Sequence, residues 1–253
     1  MISNLSVVMI TKNEENNIFK SLTAVKGLSN DIIVVDSCST DNTVKIAENL
    51  GAKVYERQFD SFANQKNYAL SLASNEWVLH IDADEFITAA LSDEIKLNLA
   101  VAHADGFYVP RENYFLGRKM KHSGLAKEYR LRLAKKSKSK YVGGLIHEEL
   151  VCEGKKEFLK CSFEHHPYPD LNKFFVKFDQ YTTLSALKLF EKHRKFRILD
   201  ITARPVIEFV KRYFVRLGLL DGIEGLIWAV TGMFYVFIKY VKLYELSKNK
   251  PNA

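Results

Sequence analysis

Residues 77–86 read WVLHIDADEF, an apolar run that ends in three acidic residues. The first part is predicted to be a buried parallel strand, because apolar residues follow one another there with little polar alternation. Asp82 and Asp84 follow at its end. Residues i and i+2 share one face of an extended backbone, so both carboxylates are expected to point the same way, and like charges ~6 Å apart repel by roughly 3 kcal/mol. A positive group is therefore expected beside them.

A divalent metal that carries a phosphorylated ligand would supply that charge, since Mg²⁺ and Mn²⁺ prefer oxygen ligands. A second interpretation is that the acidic residues cap the next helix, because carboxylates favour a helix N-terminus and D-x-D triplets are common by chance. Ligands of open α/β sheets bind beyond the carboxyl ends of the strands. The position of the triplet at a strand end therefore favours the metal site.

Strand-like and helix-like segments alternate through the first hundred residues. Apolar strands at residues 5–10, 31–35 and 52–56 are each followed by a helical pattern. This order predicts an α/β fold with a mostly parallel sheet and right-handed crossovers. Neither GxGxxG nor GxxxxGK(S/T) follows the first strand. A dinucleotide fingerprint and a P-loop are therefore both unsupported.

The composition is that of a basic globular protein. With 253 residues and 47% hydrophobic residues, the chain can bury the core of one α/β domain and still form an appendage. The formal charge of +7 and the pI near 9.1 suggest an anionic partner, which is nucleic acid, anionic lipid or a phosphorylated substrate. Charge alone does not choose among these three.

The three cysteines and the N-terminus bear on the compartment. Cys38, Cys152 and Cys161 form no CxxC pattern, so a reducing compartment and packed thiols are expected rather than disulfides or metal ligands. The first residues lack the basic segment and the long apolar segment of a signal peptide. The N-terminal part of the chain is therefore predicted to be cytoplasmic.

Two later segments offer candidate site residues. Alternation in residues 129–133 predicts a strand with Arg130 and Arg132 on one face, and this is interpreted either as a solvated edge strand or as a phosphate-binding element. The segment VGGLIHEEL places His147, Glu148 and Glu149 after a glycine pair. They have the chemistry of a metal ligand and a general base, although a lone His-Glu pair is more often ordinary surface.

The chain from residue 170 onward is predicted to be helical. Its uncharged run at residues 225–238 is shorter than the roughly 20 residues that span a bilayer, so an interfacial helix on an anionic membrane is predicted instead of a transmembrane one. A helix packed on the catalytic core or on a dimer partner is the alternative. The aromatic and basic residues that suggest the membrane are Trp228, Phe234, Tyr235, Phe237, Lys211, Arg212, Arg216, Lys239 and Lys242.

Several motifs together resemble a known family. VVMITKNEE, VVDSCSTDNT, QKNYAL, HIDADE and HEEL, in this order, resemble the family 2 glycosyltransferases, which have the GT-A fold. NYFLGRKMKHSG, RLRL, GGLIHEEL, the Arg204-Pro205 pair and LLDGIEGL resemble the lipopolysaccharide-core β-glycosyltransferase subgroup. The resemblance covers nearly the whole chain. Residues 125–128 depart from the Trp-Tyr-Pro-Asp stretch of that subgroup, so the acceptor does not follow from it.

The resemblance implies a Rossmann-like, mostly parallel sheet flanked by helices, with a C-terminal helical extension. It implies a GT-A catalytic domain at residues 1–168, made of a nucleotide-binding half at 1–100 and an acceptor-side half at 101–168. Residues 169–253 would be the helical, membrane-associating region.

The resemblance also implies roles for individual residues. Asp36 would accept a hydrogen bond from a uracil ring, over which Gln65 and Lys66 would close. Asp82 would contact the ribose or the metal, and Asp84 would hold Mn²⁺ or Mg²⁺ on the diphosphate. The cleft at the end of the first strand would be lined by Thr11, Asn13 and Glu14.

Three further residues complete the implied site. Arg132 would pair with phosphate, because a guanidinium binds phosphate through two hydrogen bonds. Glu148 is the candidate base for the acceptor hydroxyl, with Glu149 in reserve. His147 would be a third metal ligand or would orient the base.

The predicted function is a metal-dependent, inverting glycosyltransferase that moves a sugar from a UDP-sugar such as UDP-glucose to a cell-envelope glycan or glycolipid such as lipopolysaccharide core. It would lie on the inner face of the cytoplasmic membrane, with no nucleic-acid partner, as a monomer or a homodimer. A sugar-nucleotide nucleotidyltransferase is one alternative, but TKNEENN lacks the glycine-rich basic loop of that class. A non-catalytic module that binds membrane or nucleic acid through its basic face is the other.

Overall fold

A computed structural model describes residue 2 and residues 4–101, 103–143, 148–168 and 170–248. The chain divides into two units. The first contains Met1–Glu112 and Glu128–His165, and the second contains Asn113–Lys127 and His166–Ala253. The division at residue 168 inferred from the sequence stays a prediction.

The first unit begins with three strand–helix repeats and a fourth strand. These elements are β1 (Leu5–Thr11), α1 (Glu15–Val25), β2 (Asp31–Asp36), α2 (Thr43–Asn49), β3 (Lys53–Glu56), α3 (Phe62–Leu72) and β4 (Trp77–His80). The four strands lie parallel in the order β3-β2-β1-β4. The residues of β3 are half-buried or exposed, whereas the side chains of β1, β2 and β4 are buried on both faces, with Val7 and Leu79 in one apolar cluster and Val8 and Val78 in another. Burial on both faces explains why the strands read as unbroken apolar runs.

Mostly antiparallel strands complete the main sheet. The later elements are β5 (Glu85–Ile87), α4 (Ala89–Val101), β6 (Gly106–Phe115), β7 (Arg118–Lys119), β8 (Glu128–Lys135), a 3₁₀ turn (Lys136–Lys138), β9 (Ser139–Val142), β10 (Glu149–Cys152), β11 (Lys156–Phe158) and β12 (Phe163–His165). Strand β8 pairs antiparallel with both β4 and β6, and β12 pairs antiparallel with β5. Strand β11 pairs parallel with β6, and β9 and β10 form a separate two-stranded sheet. The predicted α/β class is confirmed, with parallel pairing in the first half of the sheet.

Strand β8 pairs with β6 from Glu128 to Ala134 but with β4 only from Leu133 onward. Within the described part of the chain, residues 129–132 therefore have a strand neighbour on one side only, as the edge-strand interpretation predicted.

The second unit is mainly helical. It contains α5 (Leu171–Glu191), a 3₁₀ turn (Ile198–Asp200), α6 (Ala203–Val210), a π-helical turn (Lys211–Val215), a 3₁₀ turn (Gly218–Asp221) and α7 (Gly222–Lys248). Strand β7 pairs with Tyr114 and Phe115 at the end of β6. Helix α5 begins after Asp170, whose carboxylate accepts a hydrogen bond of 2.7 Å from the Lys173 N–H. The predicted C-terminal helical extension is present.

Aromatic rings fill the centre of the second unit. The ring of Phe115 lies 5.2 Å from that of Trp228 and 5.8 Å from that of Phe174. Gly232 of α7 lies against Arg212, where a Cβ would come within 2.5 Å of the guanidinium. The glycine therefore lets Arg212 lie over the Trp228 ring, 5.1 Å from its centre.

The C-terminal helix extends well beyond its uncharged run. Gly218–Lys248 is a helical run of 31 residues that is apolar enough to cross a membrane by length and composition. The argument that this region is too short to span is therefore wrong, because the helix extends well beyond the uncharged run at residues 225–238. Only 22% of its most apolar window is buried, so core packing does not account for its composition.

The cysteines are all free thiols. Cys152 is buried, as expected of a packed thiol, whereas Cys38 is exposed in the loop after β2.

Candidate active site

Thr11 and Asp36 end the neighbouring strands β1 and β2 and lie opposite each other in the register. Asp36 is fully buried, and its two carboxylate oxygens accept hydrogen bonds of 2.6 Å from the Ser39 N–H and the Ser39 hydroxyl. The Thr11 hydroxyl is also buried and has no hydrogen-bond partner within the described residues. The structure thus brings these two predicted residues to one edge of the sheet.

Asn13 and Glu14 join the loop after β1 to the loop after β2. The backbone of Asn13 is in the left-handed region, with φ of 53°, and its side-chain oxygen accepts a 2.8 Å hydrogen bond from the Thr40 N–H. The Asn13 N–H donates to the Ser39 hydroxyl, and the Glu14 N–H donates to the Thr43 hydroxyl, both at 2.8 Å. Sequence reasoning assigned no site role to Ser39 or Thr43, although both sit in the VVDSCSTDNT motif.

Gln65 of α3 is fully buried and braces the same loop. Its amide nitrogen donates to the Ser37 hydroxyl and to the Arg57 carbonyl, both at 3.1 Å. Its amide oxygen accepts from the Arg57 guanidinium. Gln65 is therefore held in place by Ser37 and Arg57, which sequence reasoning did not identify.

Five side chains form a chain of alternating charge from α3 to β10. The Lys66 ammonium lies 2.9 Å from Glu148 Oε1 and 3.0 Å from Asp82 Oδ1. The Arg132 guanidinium lies 2.7 Å from Asp82 Oδ2 and also pairs with Glu85. We call Glu148, Lys66, Asp82, Arg132 and Glu85 the charge chain. The positive charge predicted beside Asp82 is thus supplied within the protein by Lys66 and Arg132.

Burial and pairing set the protonation of these groups. Burial alone would raise the pKa of Asp82, but Lys66 and Arg132 outweigh it and hold that pKa well below its usual range. Burial raises the pKa of Glu85 to about 7, and Arg132 opposes the rise. Burial alone would lower the pKa of Lys66, but the charge of Asp82 reverses the effect and raises it. Asp82 therefore stays ionised between two cations.

The acidic triplet forms a turn and not the end of a strand. Strand β4 ends at His80, and Ala83 and Asp84 lie in a turn. The Glu85 N–H donates to the Asp82 carbonyl, and the Asp82 N–H donates to the Glu85 carboxylate, both at 3.0 Å. The prediction of an extended backbone through Asp82 and Asp84 is wrong, because Glu85 closes this turn.

Asp84 lies beside His165 of β12. His165 Nε2 is 3.7 Å from Asp84 Oδ1. Burial lowers the pKa of His165 to about 4, so the imidazole is neutral near pH 7 and one ring nitrogen keeps a lone pair. A carboxylate and a neutral imidazole fit a divalent metal that completes its shell with phosphate oxygens, and the nitrogen suits Mn²⁺ better than oxygen-preferring Mg²⁺.

The third metal ligand predicted from the sequence, His147, lies outside the described residues. Within the described ranges, no group of three or more His, Cys, Asp or Glu side chains is placed to hold a metal ion. His165 was missed by sequence reasoning, because the FEHH segment follows no metal-ligand spacing.

The two base candidates occupy different surroundings. Glu148 belongs to the charge chain, and its side chain is 20% exposed. Glu149 begins β10, pairs with Val142 of β9 and is exposed. The structure thus brings only Glu148 to Lys66 and Asp82.

His80 is a further buried polar residue next to the charge chain. Neither ring nitrogen has a hydrogen-bond partner within the part of the chain described, and burial lowers the pKa of the imidazole to about 3. A cavity of about 10 Å³ adjoins it, lined also by Lys66, Asp82 and Tyr141. That volume is about the size of one water molecule.

Known proteins resemble this chain in sequence and in fold. The model of glycosyl transferase family 2 matches residues 6–149. The lipopolysaccharide core biosynthesis glycosyltransferase LpsC of Rhizobium meliloti is 30% identical over 98% of this chain and 96% of its own length. An uncharacterised glycosyltransferase of Rickettsia typhi is 29% identical over 98% of this chain and 89% of its own length. Residues 1–349 of Staphylococcus aureus TarS, solved with UDP-GlcNAc, have a TM-score of 0.52 at 15% identity, covering 96% of this chain and 92% of that one.

Proposed function

Because the chain belongs to glycosyltransferase family 2, we propose that it transfers a sugar from a UDP-sugar to a cell-envelope glycan, with inversion and with Mn²⁺ or Mg²⁺ as cofactor. The observation that carries the donor assignment is the gathering of Thr11, Asp36 and Asp82 after the adjacent parallel strands β1, β2 and β4. Ligands of open α/β sheets bind there. The two alternative functions, a sugar-nucleotide nucleotidyltransferase and a non-catalytic binding module, have no support from the family to which the chain belongs.

Asp36 is proposed to read the uracil ring. Each of its oxygens has a second lone pair beyond the one that Ser39 uses, and one of these can accept the ring N–H. A base without that N–H would bring no donor to the remaining lone pairs of this buried carboxylate, which disfavours that base. TarS binds UDP-GlcNAc, and the shared fold is consistent with a uridine donor here.

Lys66 and Arg132 are proposed to receive the diphosphate. Both are buried cations that share Asp82 in the charge chain. A guanidinium can bind a phosphate with two parallel hydrogen bonds, and a lysine presents a movable point charge. When the donor binds, its phosphate oxygens compete with Asp82 for these two cations and the diphosphate is held at the strand ends.

Asp84 and His165 are proposed to hold the metal. Their carboxylate oxygen and neutral ring nitrogen supply two donors, and the diphosphate supplies others. When bound, the metal would stabilise the negative charge of the departing UDP.

Glu148 is proposed to be the base. As it takes the proton of the acceptor hydroxyl, the acceptor oxygen forms a bond to the anomeric carbon and the sugar–phosphate bond breaks on the opposite side, so UDP leaves and the configuration inverts. Lys66 holds the Glu148 carboxylate in place through an ion pair of 2.9 Å. Glu149 remains the reserve candidate.

The acceptor is proposed to be lipopolysaccharide core or a lipid-linked glycan of that kind. LpsC, which is named for lipopolysaccharide core biosynthesis, matches nearly the full length of the chain. With this acceptor we propose a UDP-glucose-like donor. We also propose that the protein lies on the cytoplasmic face of the inner membrane.

A donor screen tests the proposal. Purified protein is mixed with core oligosaccharide and each of UDP-glucose, UDP-galactose, UDP-GlcNAc and GDP-mannose, and nucleotide release is followed with Mn²⁺, with Mg²⁺ and with EDTA. We expect acceptor-dependent UDP release from one UDP-sugar, abolished by EDTA. Release from GDP-mannose alone would contradict the uridine assignment, and full turnover in EDTA would contradict the metal.

A further inference from the structure

The second unit exposes large apolar side chains along residues 206–220. Val206, Ile207, Val210, Phe214, Val215 and Leu220 are all exposed, Ile207 by 62% and Val215 by 73%. Clusters of exposed apolar side chains mark interaction sites on soluble proteins, whereas single ones do not. We call these six residues the apolar ridge.

The ridge is built on regular, anchored backbone. Val206, Val210 and Phe214 recur every fourth position through α6 and the π-helical turn. The 3₁₀ turn at Gly218–Asp221 follows. Asp221 fixes this turn, because its carboxylate accepts hydrogen bonds of 3.0 Å from the Lys121 and His122 N–H groups and 2.8 Å from the Ser123 hydroxyl. The exposure of Leu220 is therefore a property of an ordered turn.

The acidic side chains around the ridge are already neutralised. Asp200 pairs with Arg194 at 3.0 Å and with Arg204 at 2.8 Å, and Glu208 pairs with Arg212 at 2.7 Å. Asp221 is buried, and its carboxylate accepts the three hydrogen bonds described above. No acidic side chain of residues 198–223 is left to repel an anion.

Basic side chains flank the ridge. Lys195, Lys211 and Arg216 are exposed, and none of them forms an ion pair with any residue that the structure describes. Positive charge beside exposed aliphatic side chains is the combination that binds an anionic lipid surface.

We propose that the apolar ridge docks this protein onto an anionic phospholipid bilayer. Val215 and Leu220 enter the boundary between headgroups and acyl chains, and Lys195, Lys211 and Arg216 contact headgroup phosphates. This attachment needs neither donor nor metal, so it stands apart from the transfer reaction. It would bring the enzyme to the surface that displays a lipid-linked acceptor.

The proposed contact differs from the helix that the sequence pattern suggested. Trp228 and Tyr235 line a cavity of about 140 Å³ in the second unit, next to Arg212. The Lys242 ammonium is held 2.6 Å from Asp179. Trp228, Tyr235 and Lys242 are thus engaged within this unit, whereas Phe234 and Phe237 of α7 are exposed. The proposed contact keeps the predicted cations Lys211 and Arg216 and adds the apolar ridge.

A second copy of the chain is a poorer occupant of the ridge. In a two-fold interface the same patch meets itself, so Lys211 and Arg216 would approach their own equivalents. Like charges brought together at an interface weaken association, whereas an anionic surface meets the same cations favourably.

The test is flotation of the full chain, without donor, on vesicles of phosphatidylglycerol with phosphatidylcholine and on vesicles of phosphatidylcholine alone. We expect salt-sensitive binding to the first and weak binding to the second. Val215→Ser with Leu220→Ser should lower the partition coefficient by about tenfold or more, because two apolar side chains leave the lipid. Leu97→Ser with Val101→Ser, on exposed sites of α4, is the matched control and should bind as wild type.

A second double variant tests the basic residues in the same vesicle experiment. Lys195→Gln with Lys211→Gln should weaken binding to the anionic vesicles and reduce its salt dependence, while Lys26→Gln with Lys45→Gln on exposed sites of the first unit should have little effect. Equal losses in ridge and control pairs would overturn the proposal, as would equal binding to neutral vesicles. So would light scattering that shows a dimer broken by the Val215 and Leu220 changes while vesicle binding is kept.

Discussion

Lys66 Nζ and Glu148 Oε1 lie 2.9 Å apart, although 82 positions separate the two residues in the sequence. The same ammonium is 3.0 Å from Asp82. One lysine therefore links the candidate base to the strand end where the diphosphate is proposed to bind. If the diphosphate draws Lys66 toward itself, the Glu148 carboxylate is released from its ion pair and can meet the acceptor hydroxyl. Donor binding and activation of the base would then be coupled through this single side chain.

The first prediction concerns Glu148 as the base. Glu148→Gln should lower kcat by about 10²- to 10⁴-fold, because the amide keeps the shape but cannot accept the proton. UDP and Mn²⁺ binding should be unchanged in calorimetry. Glu149→Gln is the control and should keep near-wild-type kcat. A loss confined to the donor KM would make Glu148 a binding residue, and a larger loss in Glu149→Gln would exchange the two roles.

The second prediction concerns the metal. Asp84→Asn and His165→Gln should each raise the Mn²⁺ concentration needed for half-maximal activity by about tenfold or more, because each removes one donor. The control is Asp93→Asn, at an exposed carboxylate whose partner is Lys96. Circular dichroism checks that the variants fold. Unchanged Mn²⁺ dependence in both variants would show that Asp84 and His165 do not hold the metal.

Periodicity predicted the first half of the fold well, because parallel strands buried on both faces leave unbroken apolar runs. It did not predict the turn at Asp82–Glu85, since that turn depends on two hydrogen bonds made by Glu85. Nor could it place Lys66 beside Glu148 or His165 beside Asp84. Those contacts depend on which strands become neighbours in the antiparallel half, and no local pattern encodes that pairing.

The sequence pattern also did not predict which side chains of the C-terminal region are exposed. The sequence pattern marked Trp228 and Tyr235 as membrane residues because they are aromatic and lie near basic residues. Which side of a helix is covered depends on its packing partners, and α7 turns these two residues toward the cavity in the second unit. Val215 and Leu220 were not singled out, because a π-helical turn and a 3₁₀ turn interrupt the helical period that an amphipathic pattern requires.

The third prediction separates recognition by Asp36 from its role in the loop. Asp36→Ala should weaken UDP binding by about 1.5 to 3 kcal/mol, the value of one hydrogen bond to a charged group. Ser39→Ala removes a hydroxyl that Asp36 holds but leaves the carboxylate. It should weaken UDP binding much less. Equal losses in the two variants, measured by calorimetry, would mean that Asp36 acts only by holding the turn.

The fourth prediction concerns the buried pair of Arg132 and Glu85. Arg132→Met should destabilise the protein by about 3 to 5 kcal/mol, because buried Glu85 loses its nearer cation and keeps only Arg111 at 3.9 Å. Arg132→Met with Glu85→Gln should recover part of that loss, since the uncompensated charge is gone. Urea unfolding of the two single variants and the double variant measures the coupling. Additive losses would show that the two side chains act independently.

The last prediction concerns stability at low pH. Burial alone would raise the pKa of Asp31, but hydrogen bonds from Lys53, Ser6 and Ser74 lower it from 3.8 to about 2. A carboxyl group whose pKa is lower in the folded state stabilises that state above its unfolded pKa, here 3.8, and the contribution disappears as the pH falls through about 2. The shift corresponds to about 2 kcal/mol.

Asp31→Asn removes that titration. The difference in unfolding free energy between wild type and Asp31→Asn should be nearly constant from pH 7 to about pH 5 and should then shrink by about 2 kcal/mol as the pH falls to about 2. Denaturant unfolding at a series of pH values measures it. Asp41→Asn is a useful comparison, because the Thr43 hydroxyl and N–H bind its carboxylate without any cation. A difference for Asp31→Asn that does not change between pH 5 and pH 2 would show that Lys53 and its neighbours contribute nothing through the charge of Asp31.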